Sequence, residues 1–218
     1  MIASLEKKNR ELTVGLEKLN KLNNKQVSFV HLENKWEEIE SSSERNRYIE
    51  IIDDENIKYI KGKVDEDVSA ENSFNEPEEY SISLYYFEVK SKIEGENNLM
   101  VIGLKNCNNN YIRYNAAEVK IKNGFQHYRL STFSWNNNDT FGCGLVYPPT
   151  KTNGLPYVFF TQNGKQIGKA TLSKDNCDIY QPYVVLKNCS VEANFGNNLE
   201  DKPFCYDISK HFLINEFY

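Results

Sequence analysis

Tyr157-Val158-Phe159-Phe160-Thr161-Gln162-Asn163-Gly164-Lys165-Gln166-Ile167-Gly168 is the stretch on which the fold turns. Aromatic and β-branched residues lead into Asn163-Gly164, and a second short run follows. Asn-Gly is the strongest short-range hairpin signal, because both residues tolerate the positive φ that a tight turn needs. The stretch predicts paired strands over Tyr157–Gln162 and Lys165–Gly168, joined by a two-residue turn.

Outward from this hairpin the same pattern recurs. In Tyr85-Tyr86-Phe87-Glu88-Val89-Lys90, Tyr85, Phe87 and Val89 fall on one face and Glu88 and Lys90 on the other, which is the period of a strand. Further strands are predicted over 35–39, 47–52, 57–61, 82–93, 99–105, 118–121, 127–130, 140–147, 183–186 and 190–195. Turn chemistry separates them at Asp53-Asp54-Glu55-Asn56, at Lys122-Asn123-Gly124 and through Trp135-Asn136-Asn137-Asn138-Asp139. Many short β-type runs cut by turns read as a sandwich. The acidic run from Val64 to Glu79, poor in β-formers, reads as a long exposed loop. Composition agrees: 14 Tyr and 12 Phe against two Trp and two Met suit a pleated, half-buried surface, and 218 residues suffice for one all-β domain with an appendage.

Residues 1–26 differ. With Leu5, Leu12 and Leu19 at heptad position d, Ile2, Asn9, Leu16 and Asn23 fall at a, so the segment predicts an amphipathic helix. Gly15 weakens it by about 1 kcal/mol relative to Ala. Homodimerisation through a short coiled coil is one expectation; the other is a helix that docks its Leu stripe on the body or stays frayed.

The chemical inventory is sparse. A net charge of −5 gives no electrostatic reason to expect nucleic acid. No apolar run approaches the roughly 20 residues of a membrane helix. Met1 to Lys8 lacks the apolar core of a signal peptide, so the expectation is a cytoplasmic protein, or a secreted one whose leader has been removed. In the second case Asn138-Asp139-Thr140 and Asn188-Cys189-Ser190 are glycosylation acceptors. Cys107, Cys143, Cys177, Cys189 and Cys205 are odd in number and widely spaced, which argues against a disulfide framework and a zinc site. His31, His127 and His211 have no ligand-spaced or nucleophilic neighbour. Asp53-Asp54-Glu55 lacks the further ligands of a calcium loop and reads as a turn. No catalytic residue, metal or cofactor is expected.

Several phrases, in order over residues 34 to 208, resemble the SPRY domain family. They are Trp36; Arg47-Tyr48-Ile49-Glu50-Ile51; Tyr85-Tyr86-Phe87-Glu88-Val89; Val101-Ile102-Gly103-Leu104; Asp139-Thr140-Phe141-Gly142-Cys143-Gly144; Phe160-Thr161-Gln162-Asn163-Gly164; and Val191-Glu192-Ala193-Asn194-Phe195-Gly196 with Lys202-Pro203-Phe204. The style is similar to members like Ran-binding protein M, and the wording around Phe141–Pro149 also resembles SPRY proteins of plant-parasitic nematodes, some of them secreted effectors. The resemblance implies a SPRY domain over 27–218: a bent antiparallel β-sandwich, all-β apart from the N-terminal helix and without catalytic machinery. It also implies a binding face built from loops at one end that grips a partner protein or short peptide.

On that layout three segments meet at one end: 64–79 with Asp65 and Asp67, 106–116 with Tyr111, Arg113 and Tyr114, and Leu186-Lys187-Asn188. Tyr and Arg are interface anchors by type. Trp135 is a further exposed-aromatic candidate, with the alternative that it folds back on the sheet. Where family members that bind Asn-rich peptides carry Trp-Gly, Leu186 and Lys187 stand here, which puts that specificity in doubt. The alternative reading is a lectin-like sandwich that holds a carbohydrate or small molecule.

Overall fold

A computed structural model describes residues 27–37, 48–60, 62, 64–76, 82–130, 132–148, 155–172 and 179–211. The N-terminal heptad segment lies outside them.

Two packed sheets make the molecule. The first runs β13 (Lys165–Thr171), β12 (Tyr157–Gln162), β11 (Thr140–Tyr147), β6 (Ser83–Ile93), β15 (Cys189–Asn194), β3 (Asn56–Tyr59) and β2 (Ile49–Ile51). β1 (Ser28–Phe29) joins it beside β6, the one parallel pairing among the described strands. The second runs β10 (Gln126–Arg129), β9 (Lys120–Asn123), β8 (Tyr111–Asn115), β7 (Leu99–Asn106), β14 (Ile179–Lys187) and β4 (Glu66–Ser69), with β5 (Phe74–Asn75) also on β14. All other pairings are antiparallel, and a short 3-10 helix, Ile208–Lys210, follows near the end.

The hairpin expected at Asn163-Gly164 is present, with φ of 49° and 74° at its two turn residues. The Asp53 turn is also as expected: its carboxylate accepts the N–H groups of Glu55 and Asn56 at 2.9 and 2.7 Å, contacts that draw its pKa below the usual carboxylate range. Two segments read as loops are strands instead. Val64–Glu79 contains β4 and β5, and Asn106–Ala116 contains β8. β4 has weak intrinsic preference, but β14 offers it a ladder, and such tertiary pairing overrides propensity.

The core lies between the sheets. Trp36 meets Phe195 edge-on at 5.1 Å, Phe195 stacks on Phe87, and Phe74 stacks on Tyr85 at 4.7 Å. The family phrases therefore form the packing, not a surface. A second apolar layer covers the outer face of the first sheet, where Tyr86, Phe159, Tyr157 and Leu84 pack under Phe29, Phe204 and Tyr206. Gly142 and Gly144 open that face: a Cβ at either would run into Tyr86 or Phe159.

Candidate functional site

The ladder between β7 and β14 decides which nominated residues can act together. Lys187 sits opposite Leu99, and Tyr180 opposite Asn106, at the far end of the same ladder. The turn at 107–110 and Asn188 are therefore at opposite ends of the sandwich. The expected convergence of three segments on one end does not occur.

One end gathers Asp65, Asp67, Lys187 and Asn188. Asp65 and Asp67 are exposed, and Asp67 faces outward opposite Val185. Asn188 takes φ 50°, its side-chain N–H donates to the Glu96 carbonyl at 2.6 Å, and its own carbonyl accepts Glu94 N–H. That locks the 94–98 loop beside the β14–β15 corner. Trp135 stands at the same end but is turned inward, half-buried against the core, with its indole N–H donating to Ser91 Oγ at 2.9 Å. Its loop is held by Asp139, which accepts Asn136 N–H, Gln162 Nε2 and Asn163 Nδ2 at 2.7 to 2.9 Å. The fold-back alternative describes Trp135.

Tyr114 and Leu186 point into the core, at 1% and 0% exposure. In β8 the inward residues are Ile112 and Tyr114, so the outward ones are Tyr111, Arg113 and Asn115. Burial pushes the Tyr114 hydroxyl up to about 12, and no hydrogen-bond partner meets it. Neither residue can touch a partner without unpacking the sandwich, which corrects their nomination.

Tyr111 and Arg113 lie on the outer face of the second sheet. Tyr111 meets Tyr183 edge-on at 5.3 Å, and the Arg113 guanidinium stands 5.9 Å from the Tyr111 ring centre. Burial pushes the Tyr183 hydroxyl far up, while Arg113 pulls the other way. Around them lie cations that the sequence reading passed over: Lys105 on β7, Lys120 and Lys122 on β9, and Arg129 on β10. Their signal was the strict alternation of β8 and β9.

A crevice of about 260 Å³ opens on the first sheet's outer face, between Glu88, Lys90, Thr140, Glu192, Asn194 and Lys202. Lys202, Glu192 and Glu88 are engaged. Lys202 bridges Glu55 and Glu192, both at 2.8 Å, and Glu88 accepts N–H groups of Cys205 and Tyr206. Burial pushes the Cys205 thiol up, with the Glu88 charge adding to it. No group of three or more His, Cys, Asp or Glu able to hold a metal occurs among the described residues. Cys143, Cys189 and Cys205 are free thiols, whereas Cys107 is disulfide-bonded, contrary to the cysteine count.

No protein-family model matches the chain. Part of it is similar to a probable ATP-dependent RNA helicase, ddx1, of Dictyostelium discoideum, 32% identical over 82 residues; that match takes in 38% of this chain and only 9% of the relative's length. Among solved structures, a human SPRY domain covers 70% of this chain and 98% of its own, at 20% identity and a TM-score of 0.53. A carbohydrate-binding module from Bacillus subtilis covers 64% and 82%, at 10% identity and a TM-score of 0.37. The chain has a SPRY-like fold.

Proposed function

We propose that this domain is a protein-interaction module, binding a partner protein or peptide through the end of the sandwich that carries Asp65, Asp67, Lys187 and Asn188. The observation that carries the reading is the convergence of these residues beside a locked corner. The exposed Asp65 and Asp67 stand at and beside β4, and the half-buried Lys187 ends β14, so charges of both signs are carried on or next to paired strands, an arrangement that holds a contact surface in place. Binding, not catalysis, suits the groups present, because the buried carboxylates Glu88 and Asp139 are taken up by their own chain. The role is that of an adaptor or, in a secreted setting, an effector.

The disulfide at Cys107 favours the secreted setting, since such bonds persist in oxidising compartments. Peptide mapping of protein from its source, with and without reductant, tests this: a reduced Cys107 argues for the cytoplasm. Homodimerisation through residues 1–26 predicts that sedimentation of the full chain depends on concentration and that of a chain starting at Val27 does not.

The interaction itself is tested by affinity capture. Asp65→Lys with Asp67→Lys and Lys187→Glu should abolish partner recovery while shifting the melting temperature little, because Asp65 and Asp67 are exposed, Lys187 is only half-buried, and surface charges contribute little to stability. Recovery that survives the triple variant removes this end as the contact surface.

A further inference from the structure

The β9–β10 hairpin closes one edge of the second sheet: β9 packs on the sandwich through the buried Ile121 and through Asn123, whose side-chain N–H donates to the Thr171 carbonyl at 2.9 Å. β10 is an edge strand exposed along its whole length, and Phe125 at its turn is fully exposed. The register assigns its backbone groups. Gln126 faces Asn123 across the two-residue turn, and Leu130 donates to the Val119 carbonyl at 2.9 Å. Hydrogen-bonded pairs alternate along an antiparallel ladder, so Gln126, Tyr128 and Leu130 direct their N–H and C=O groups to β9. His127 and Arg129 turn theirs outward, to an edge with no partner strand among the described residues.

Side chains directly opposite one another share a face. One row therefore runs Gly103, Arg113, Lys122, His127, and the next Val101, Asn115, Lys120, Arg129. Lys105 adds to the same face beside Tyr111. Glu118 is the carboxylate close to these cations, 3.1 Å from Lys120 and 3.9 Å from Lys122, and Asp67 lies at the far edge of the sheet. On a chain of net charge −5, this face is a local inversion of sign.

We propose that the β10 edge and the basic rows beside it bind an acidic protein segment, added to the sheet as an extended strand. Main-chain groups of His127 and Arg129 would supply the pairing, and alternate carboxylates of the segment would fall beside Arg129, Lys120 and Lys122. A single-stranded nucleic acid fits less well, because it needs cations and open aromatic faces in one groove. Here Tyr128, opposite the inward Ile121, lies on the other face of β10 from Arg129, and Tyr111 is engaged with Tyr183 and Arg113. This surface is separate from the Asp65–Asn188 end and does not rest on it.

The test uses the full chain and three fluorescein-labelled probes: a peptide of about eight residues alternating Val and Glu, its Lys-for-Glu counterpart, and oligouridine. Fluorescence anisotropy should show binding of the Glu peptide alone, weakened about tenfold by Lys120→Glu with Arg129→Glu and also weakened by added salt. Amide exchange at His127 and Arg129 should slow about tenfold in the complex. His127→Pro, which removes one outward N–H without changing a fixed charge, should also weaken binding. Melting curves screen for misfolding, and Arg129→Ser serves as the milder variant. Equal binding of the Lys peptide, tighter binding of oligouridine, or indifference to the charge reversals overturns the proposal. So does loss of Glu-peptide binding on Asp65→Lys with Asn188→Ala, which would place the contact at the other end.

Discussion

The Glu88 carboxylate accepts the backbone N–H of Cys205 at 2.8 Å, joining positions 117 residues apart in the chain. Its other oxygen accepts Tyr206 N–H at 2.9 Å and the Tyr86 hydroxyl at 2.7 Å. Glu88 faces away from the inter-sheet core, yet it is only 3% exposed because the segment it holds lies over it. A residue that alternation assigns to the outer face thus fastens the C-terminal segment across the first sheet.

Glu88→Gln places an amide N–H against the Cys205 N–H and should cost about 1–3 kcal/mol by chemical denaturation. The wild-type protein has a further signature. Burial raises the Glu88 pKa above the usual carboxylate range, so the folded state takes up its proton at higher pH than the unfolded chain. The contribution of Glu88 to stability should therefore be fully present below the unfolded value and fall as pH rises through the folded one. Difference pH profiles against Glu88→Gln check the sign; a contribution that rises with pH in that window refutes it.

His211 carries the opposite dependence. Burial, with the Lys169 charge adding to it, lowers its value from 6.5 to about 4, and its two ring nitrogens lie 2.9 and 2.8 Å from the Tyr157 and Tyr206 hydroxyls. The unfolded chain binds the proton first, so stability should be lost as pH falls from 6.5 toward 4. The loss amounts to about 3 kcal/mol at most. His211→Phe should flatten this part of the profile, whatever it does to stability at neutral pH.

Gly164→Ala should cost about 1–3 kcal/mol, measured as a shift in denaturation midpoint. Gly164 holds φ at 74°, and an added Cβ would stand 2.6 Å from the Cys205 carbonyl oxygen. The substitution strains the hairpin and the C-terminal segment together.

Phe160→Ala empties a fully buried site in the inter-sheet core, where the ring packs against Tyr114 at 6.1 Å. The expected cost is about 3–5 kcal/mol, with partner capture lost only as unfolding sets in. A variant that keeps its melting temperature but loses capture would instead assign Phe160 to a surface.

Tyr111→Ala with Arg113→Ala separates packing from recognition. Tyr111 covers part of the buried Tyr183 ring, so a loss of about 1 kcal/mol in stability is expected. Partner capture by the Asp65–Asn188 end should persist, because both residues lie outside that end of the β7–β14 ladder.

The hairpin at Asn163-Gly164, the two-faced strand through Phe87, and with them a sandwich, are written in the order of the residues. These are local properties: a turn needs positive φ at given residues, and a period of two is written in consecutive side chains. The Tyr111–Asn115 strand is legible in the same way, in the alternation of Ile112 and Tyr114 with Tyr111, Arg113 and Asn115. Long-range strand pairing sets where the candidate contact residues stand. Antiparallel register sets Asn106 against Tyr180, seven positions along the ladder from the Leu99–Lys187 pair, and so divides segments that resemblance had joined. The partner strand β14 made Glu66–Ser69 a strand despite its composition. Pleat direction buried Tyr114 and Leu186 and aligned Arg113, Lys122, Lys120 and Arg129 on one face. Such placement depends on hydrogen-bond partners far away in the chain, and no run of neighbouring residues encodes it.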